Sequence, residues 1–293
     1  MELAQTIEKE NKGINHNYKE MDLQYDESIN TLWFFMRGKP RPTFTTSLLQ
    51  ELTHLYKTIR DGKAEFKAID YLVVASGETD IYNLGGDLAY FRRCVELQDA
   101  PALKAYAYSC ISLCYENTIN LNRDITTISL MQGSAYGGGF EAALSCNIII
   151  AEKGIKIGFP EILFNLFPGM GAYTYLSRRV EPYFVEQMIS SGRMYTSDEL
   201  YERGIIDILT EPGEGVRELN NFIKKHRHQR HGHVAMQKAR LRTFPITLDE
   251  LRDISDIWVD AALKLTPKDL KVMDRLVNRQ SRLSIKKQLS CIA

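Results

Sequence analysis

The sequence predicts an α/β core followed by a helical C-terminal segment. Short apolar segments of strand length alternate with helix-like segments through the first two thirds of the chain, and only helical patterns follow. Such alternation is typical of α/β domains, in which helices cover a largely parallel sheet. The predicted division is a polar N-terminal tail over residues 1–25, a core over residues 26–212 and a helical segment over residues 213–293.

Six segments carry the strand prediction. Residues 70–76 (Asp-Tyr-Leu-Val-Val-Ala-Ser) are almost continuously apolar, which is the pattern of a strand covered on both faces. The other predicted strands are residues 31–37, 126–131, 147–151, 155–158 and 205–209.

The helix predictions rest on caps and on periodicity. Ser47 is placed to cap a helix that ends near residue 60, with Leu48, Leu52 and Leu55 on one face. Further helices are predicted over residues 88–97, 103–121 and 197–203, another opens at residues 168–171, and the helical segment after residue 213 is broken at Pro245.

Composition excludes several classes of function. The 293 residues are 44% hydrophobic and 25% charged, and 37 basic residues balance 37 acidic ones. A net charge of zero gives no global attraction to nucleic acid or to an anionic membrane. The five cysteines form no tight pattern, which favours reduced thiols in a cytoplasmic protein. Neither a signal pattern nor an apolar run of membrane-spanning length is found.

The segment most indicative of chemistry is Gly133-Ser-Ala-Tyr-Gly-Gly-Gly-Phe-Glu141. Gly137, Gly138 and Gly139 let backbone N–H groups approach a ligand without a Cβ in the way. A P-loop is excluded because no Gly-Lys-Ser/Thr follows, and the dinucleotide fingerprint is not met. An oxyanion site for a carbonyl is one interpretation, and close helix–strand packing is the other.

Two glutamates accompany this glycine run. Glu141 lies one turn into the predicted helix, and Glu161 follows Pro160 twenty positions later. Apolar neighbours on both sides would desolvate Glu161 and raise its pKa, as a general acid or base requires. The alternative is that both are ordinary exposed glutamates.

A second glycine loop, Asn83-Leu84-Gly85-Gly86-Asp87, also follows a strand and precedes a helix. Alone it indicates only a turn. Together with the first loop it predicts a second N–H donor for the same oxygen, since a carbonyl oxygen is held best from two segments.

Four of the six histidines fall within residues 224–233, among lysines and arginines. The neighbouring cations disfavour a metal ion, so no metal is predicted. The remaining interpretations are a solvated basic stretch and, with Lys238, Arg240 and Arg242, a landing site for an acidic partner or a phosphate.

These motifs together resemble the crotonase (enoyl-CoA hydratase/isomerase) superfamily over roughly residues 30–215. The resemblance rests on residues 82–88, on residues 133–141 and on Phe159-Pro-Glu-Ile-Leu163 with Pro168-Gly-Met-Gly171. Within the superfamily the chain is similar to diffusible-signal-factor synthases, which make cis-2-unsaturated fatty acid signals in bacteria. The implied fold is a spiral of β-β-α repeats whose C-terminal helical segment builds a homotrimer or a dimer of trimers.

The resemblance also implies roles for individual residues. Glu141 and Glu161 would be the paired catalytic carboxylates, and the N–H groups of Leu84 and Gly138 would form the oxyanion hole. Gly85, Gly86, Gly137 and Gly139 would shape the supporting loops. An apolar acyl pocket, with plain core packing as the alternative, would be lined by Phe164, Leu166, Phe167, Met170 and Tyr173.

The implied reaction of a signal synthase needs no cofactor. A 3-hydroxyacyl thioester on acyl carrier protein would lose water across C2–C3, and hydrolysis of the thioester would release the free acid. The alternative is a conventional enoyl-CoA hydratase or isomerase that acts on acyl-CoA in fatty acid metabolism. A third hypothesis is a binding partner of a sensor histidine kinase. Two departures from the usual pattern, Leu84 and the segment Ala172-Tyr-Thr-Tyr-Leu-Ser177, argue against ordinary acyl-CoA turnover.

Overall fold

The computed structural model describes residues 18–37, 42–62, 68–78 and 80–276. Within these residues the strands are β1 (Met21–Asp26), β2 (Thr31–Met36), β3 (Tyr71–Ser76), β4 (Ile81–Asn83), β5 (Thr126–Met131), β6 (Ser134–Tyr136), β7 (Ile148–Glu152), β8 (Lys156–Gly158), β9 (Met194–Thr196) and β10 (Ile208–Thr210).

The helices alternate with these strands and then continue alone. They are α1 (Thr46–Arg60), α2 (Leu88–Glu96), α3 (Ala100–Thr118), α4 (Gly138–Leu144), α5 (Ala172–Leu176), α6 (Pro182–Ser191), α7 (Ser197–Glu202), α8 (Gly215–His226), α9 (Arg230–Thr243) and α10 (Leu248–Ala262). Residues 267–276 are also helical, and Glu161–Phe164 form a turn of 3₁₀ helix. No described helix is both long enough and apolar enough to cross a membrane.

The larger sheet has the strand order β1-β2-β3-β5-β7-β10. Only β1 is antiparallel to its neighbour, and the remaining pairs are parallel. Its central strands β2, β3, β5 and β7 are covered on both faces. In β2, Phe34 faces the main core, whereas Trp33 packs in the cluster that Leu219 and Ile223 of α8 complete. This double burial explains why β2 and β3 are almost continuously apolar.

The smaller sheet has the order β4-β6-β8-β9, and β4, β6 and β8 run parallel. The carboxyl ends of parallel strands meet at one edge of a sheet. This edge therefore brings together three segments: the loop after β4, the glycine run after β6 and the segment after β8 that leads to Glu161. The two glycine loops and the two glutamates singled out in the sequence lie here.

The C-terminal helices cover this edge. One buried apolar cluster contains Phe91 of α2, Leu103 of α3, Val259 of α10 and Phe164 of the 3₁₀ turn. Leucines and a methionine within residues 265–273 extend it. The segment after residue 213 thus forms part of the same packed unit as the α/β core.

The structure corrects several boundaries. Strand β1 (Met21–Asp26), which pairs with β2, begins inside the predicted polar tail of residues 1–25, while residues 1–17 lie outside the described residues. Thr45, not Ser47, caps α1, because its hydroxyl accepts a hydrogen bond from the Leu48 N–H (3.0 Å). Strand β10 begins at residue 208 and not at residue 205. Four cysteines are free and buried, at positions 94, 110, 114 and 146, and Cys291 lies outside the described residues.

Candidate active site

Glu141 is buried at the centre of the candidate site. It lies in the first turn of α4 and is 1% exposed. Its Oε1 accepts hydrogen bonds from the backbone N–H groups of Met170 (2.7 Å) and Ala172 (2.9 Å). Burial raises the pKa of Glu141 to about 7, although these amide donors oppose the shift. The side chain is therefore fixed in position and can change its protonation state near neutral pH.

Glu161 follows β8 and starts the short 3₁₀ turn. Its Oε1 lies against Gly137, since a Cβ built there would be 2.1 Å from that oxygen. Its Oε2 is buried and has no hydrogen-bond partner among the described residues. Burial, and next the charge of Glu141, raise the pKa of Glu161 to about 8. An unpaired carboxyl oxygen with such a pKa is free to exchange a proton with a ligand.

The Leu84 amide does not serve as predicted. Its N–H donates a hydrogen bond to the carbonyl oxygen of Pro42 (2.9 Å) and is not available to a ligand. The resemblance assigned this position by its place in the loop motif, but the hydrogen bonding of the loop decides which N–H is free. The structure thus corrects the oxyanion prediction at Leu84.

Gly86 is the residue of this loop whose N–H remains free. The amide before it, of Gly85, donates to Asn83 Oδ1 (2.7 Å). The amide after it, of Asp87, donates to the Tyr106 hydroxyl (2.8 Å). The Gly86 N–H has no acceptor among the described residues, and Gly86 lines the cavity that holds both glutamates. Gly86, predicted only as a supporting residue, is the donor that the geometry favours.

Gly138 supplies the second amide. It is the first residue of α4, where an N–H has no acceptor within its own helix, and it lines the same cavity. The two loops are in contact, because a Cβ on Gly85 would lie 3.0 Å from the Gly138 nitrogen. Gly139 is buried against the carbonyl of Asn83, where a Cβ would come within 2.2 Å of the oxygen. Close packing and an amide site are therefore both present in the glycine run.

A cavity of about 80 Å³ joins these groups. Phe164, Leu166 and Met170 line it, as predicted for an acyl pocket. Phe167 and Tyr173 do not: both pack against the main core, and the Tyr173 hydroxyl binds Glu186 (3.1 Å). The prediction was wrong for these two because nearness in sequence does not fix the direction of a side chain. The cavity-lining residues that the prediction lacked are Leu88, Phe91, Tyr106, Ala107, Cys110, Gly169 and Trp258.

Trp258 is the lining residue most distant in sequence. It lies in α10 and packs so closely on Gly169 that a Cβ there would be 2.3 Å from the indole. No motif pointed to it, since its place depends on how α10 packs against α3 and the core. The amphipathic pattern of α10, in which buried positions recur every three or four residues, is the sequence signal for one buried face.

The basic stretch at residues 224–233 lies at the end of α8 and the start of α9, away from this cavity. Part of its charge is neutralised within the chain. Arg230 pairs with Asp70 (2.8 Å), and Lys238, further along α9, pairs with Asp124 (2.6 Å). No group of three or more potential metal ligands occurs among the residues that the structure describes.

The family assignment follows from comparison with known proteins. The model of the enoyl-CoA hydratase/isomerase family matches residues 31–254. The chain therefore belongs to the enoyl-CoA hydratase/isomerase family. A crotonyl-CoA hydratase from Syntrophomonas wolfei is 23% identical over 205 residues, which are 70% of this chain and 74% of that protein.

A peroxisomal bifunctional enzyme from Pongo abelii is 31% identical over 231 residues, 78% of this chain but 28% of that protein. The chain thus spans little more than a quarter of that relative. Among solved structures, an enoyl-CoA hydratase from Bacillus halodurans superposes with a TM-score of 0.73 at 20% identity, covering 88% of this chain and 100% of that one. The predicted crotonase-like fold with a C-terminal helical segment is confirmed.

Proposed function

We propose that this chain removes water from, and adds water to, the C2–C3 bond of an acyl thioester. The observation that supports this is the meeting of two carboxyl groups, with pKa values raised to about 7 and 8, and two unpaired amide N–H groups at one cavity. Near neutral pH such a pair holds about one proton between its members. One carboxylate is then ready as a base while its partner is ready as an acid.

The chemistry in the direction of dehydration follows from this charge state. The N–H groups of Gly86 and Gly138 hold the thioester oxygen as it becomes enolate-like, which lowers the barrier to loss of the C2 proton. The ionised carboxylate of the pair takes that proton. The C3–O bond breaks, and the protonated partner delivers its proton to the departing oxygen, so that water leaves. Each such acid or base typically contributes about 10²–10⁴ in rate.

For the particular substrate we propose a 3-hydroxyacyl thioester on acyl carrier protein, followed by hydrolysis to a free cis-2-unsaturated acid. In the second step water attacks the thioester carbonyl, a carboxylate accepts the proton of that water, and the carrier thiol leaves. The motifs shared with diffusible-signal-factor synthases support this choice, as does the mostly apolar lining of the cavity. The product would be a quorum-sensing signal.

The alternative is a conventional enoyl-CoA hydratase or isomerase. It is supported by the family and by the similarity to the crotonyl-CoA hydratase of Syntrophomonas wolfei. A hydratase shares with the first candidate the chemistry at C2–C3 and the same two glutamates, whereas an isomerase only transfers a proton and loses no water. The two candidates differ in the thiol that carries the acyl group and in whether the thioester survives.

Purified protein incubated with 3-hydroxyacyl carrier protein and, separately, with enoyl-CoA distinguishes the two. Mass spectrometry of the lipid products is the measurement. Free unsaturated acid from the carrier substrate is the expected result, and turnover of the CoA ester alone would assign the conventional activity. Glu141→Gln and Glu161→Gln are the controls, because each removes one member of the pair with little change in shape. If both glutamine variants kept full activity, neither the signal-synthase proposal nor the hydratase alternative could stand.

Two partners are proposed, an acidic carrier protein and a sensor histidine kinase. The cations of residues 224–242 for which the described residues provide no ion pair, such as Lys224 and Lys225, suit an acidic carrier protein. A sensor histidine kinase is a second proposed partner. Unchanged signal output in cells that carry the double variant Glu141→Gln/Glu161→Gln would favour binding over catalysis as the role of the chain.

Assembly into a trimer or a dimer of trimers is likewise proposed from the family resemblance. Met236 in α9 and Ile257 in α10 are 68% and 62% exposed, which suits contacts between subunits. Light scattering of the purified protein gives the mass directly, and a monomer would contradict this proposal.

A further inference from the structure

A second cavity, of about 220 Å³, lies away from the glutamates at the ends of two short helices. Its polar wall contains Ser145 and Asn147 just after α4, Arg178 and Arg179 just after α5, Asp207, and Arg240 of α9. None of its lining residues lines the cavity of Glu141 and Glu161. The site is therefore distinct from the one that carries the proposed chemistry.

Two of its three arginines are held within the chain. Arg178 makes a double ion pair with Glu250, with N–O distances of 3.0 and 2.8 Å. Arg179 donates to the Cys146 carbonyl (3.1 Å) and lies 3.4 Å from Asp207. These contacts fix both guanidinium groups at the wall.

Arg240 differs from both. It lines the recess and reaches solvent, and its guanidinium has no hydrogen bond or ion pair among the described residues. Partial desolvation by the surrounding protein, and next the charge of Arg179, lower its pKa, while Asp207 opposes that effect. Asp207 is the carboxylate of the lining, and its Oδ2 already accepts from the Ile149 N–H (2.7 Å). Positive charge at this wall is in excess.

The lining also includes apolar side chains. These are Leu144, Leu241, Phe244 and Ile246, and Phe244 is 55% exposed. A guanidinium with five free N–H donors recognises carboxylate and phosphate oxygens in particular. Inorganic phosphate would make no contact with these apolar side chains, whereas an apolar substituent on the oxyanion would be removed from water against them.

We propose that this recess binds an oxyanion that carries an apolar group, a carboxylate or a phosphate monoester, with Arg240 as its principal ligand. Arg179, already oriented by its carbonyl contact, provides a second donor to the same oxygens. The binding of an anion relieves the repulsion between these two cations. This site does not depend on the reaction proposed above.

Calorimetric titration of the full chain at constant ionic strength tests the site. The probes are octanoate, acetate, octyl phosphate, inorganic phosphate and octanol. The variant is Arg240→Gln, and Arg242→Gln is the matched control, because that exposed arginine of the same helix lies outside the cavity lining. Light scattering and a melting curve check that both variants keep the assembly and the fold.

Octanoate or octyl phosphate is expected to bind the wild type, and Arg240→Gln to weaken that binding at least about tenfold, as for a lost charge-assisted hydrogen bond. Tighter binding of octanoate would identify the headgroup as a carboxylate, and tighter binding of octyl phosphate would identify it as a phosphate. Equal binding by the wild type and Arg240→Gln would overturn the proposal, as would octanol binding as well as octanoate. If acetate binds as tightly as octanoate, and inorganic phosphate as tightly as octyl phosphate, the proposal that the ligand carries an apolar group is contradicted. Arg242→Gln is expected to behave as the wild type.

Discussion

Gly137 lacks a side chain where the carboxyl group of Glu161 needs the space. A Cβ on Gly137 would lie 2.1 Å from Glu161 Oε1, and the backbone of Gly137 has a φ of +50°. In Gly137→Ala the carboxyl group must move, and a displacement of about 1 Å can cost about 100-fold in rate. We expect kcat of the dehydration to fall by at least about that factor.

Gly154→Ala separates this collision from backbone strain. Gly154 has a φ of +77°, but a Cβ on it would meet no other atom within 4 Å. Gly154→Ala is expected to lower the free energy of unfolding by about 1 kcal/mol, because its φ is positive. Gly137→Ala is expected to lower it by more, because its φ of +50° with a ψ of −127° lies outside the left-handed helical region and its Cβ also meets Glu161. If Gly154→Ala loses as much activity as Gly137→Ala, the space near Glu161 is not the cause.

The two carboxyl groups predict a narrow pH optimum. Their pKa values are raised to about 7 and about 8. Below this window both groups are protonated and no base is left, and above it both are ionised and no acid is left. A bell-shaped profile of kcat/KM with apparent pKa values near 7 and 8 is expected for the pair as a unit.

Single variants at the pair check this assignment. In Glu141→Gln or Glu161→Gln, one partner cannot titrate, so the residual activity is expected to show a single limb. A wild-type profile that stays flat from about pH 6 to about pH 9 would contradict the proposed roles.

At the residue scale the sequence predicted the glutamates correctly as neighbours of one cavity, because each follows a strand of the same parallel sheet. It could not predict the free amide. Leu84 and Gly86 are two positions apart in one loop, and only the contacts with Pro42, Asn83 and Tyr106 decide which N–H is left unpaired.

At the level of elements, the packing of α1, α3 and the loop before α5 divides the apolar space beside Glu141. A small second chamber of about 20 Å³ lies between β2, α1 and α3. Cys110 and Met170 line both this chamber and the cavity of the glutamates. These two sulfur-containing side chains therefore border both spaces, and under the proposed function they would limit the length of the acyl chain.

Met170→Ala is expected to open the border between these two spaces and to shift the preferred acyl chain to longer substrates. The backbone N–H of Met170, which holds Glu141, is retained in this variant. Steady-state kinetics over a series of 3-hydroxyacyl chain lengths provides the measurement. Leu52→Phe, in the wall of the small chamber alone, is the control and should not extend the range. An unchanged chain-length profile in Met170→Ala would place the end of the acyl chain elsewhere.

A strand could be predicted from the sequence where most of its residues are buried and apolar. A helix could be predicted where its capping residue is adjacent to it in the sequence. β3 and β7 are mostly apolar on both faces and stand out in the sequence, and β5 is buried throughout although three of its six residues are Thr or Ser. β1 does not, because Met21–Asp26 have one buried residue and five that are partly exposed. Its strand character comes from pairing with β2, which is a tertiary contact and leaves little trace in composition.

At the scale of the whole molecule, the carboxyl pair lowers stability as the pH rises. The pKa of Glu161 is about 8 in the folded chain, against an ordinary value of 4.5 for a glutamate. The folded state therefore binds more protons than the unfolded state between these values, and the free energy of unfolding falls across that window. The loss is complete only above about pH 8.

Glu161→Gln is expected to remove this loss of folding stability at high pH, because glutamine does not ionise. At about pH 5 the variant and the wild type are expected to be of similar stability, since Glu161 is then neutral in the folded protein. At about pH 9 the variant is expected to be more stable by on the order of a few kcal/mol. Urea unfolding at the two pH values measures the difference, and a variant that is no more stable under the alkaline condition would show that the glutamate ionises without cost.

The indole of Trp258 closes a cavity whose acids and amides are all encoded before Met170. A chain that ended before α10 would keep both glutamates and both amide donors but would lack the indole that closes this side of the cavity. Such a truncated chain is expected to hold an acyl group less firmly, although it contains every group assigned to the chemistry.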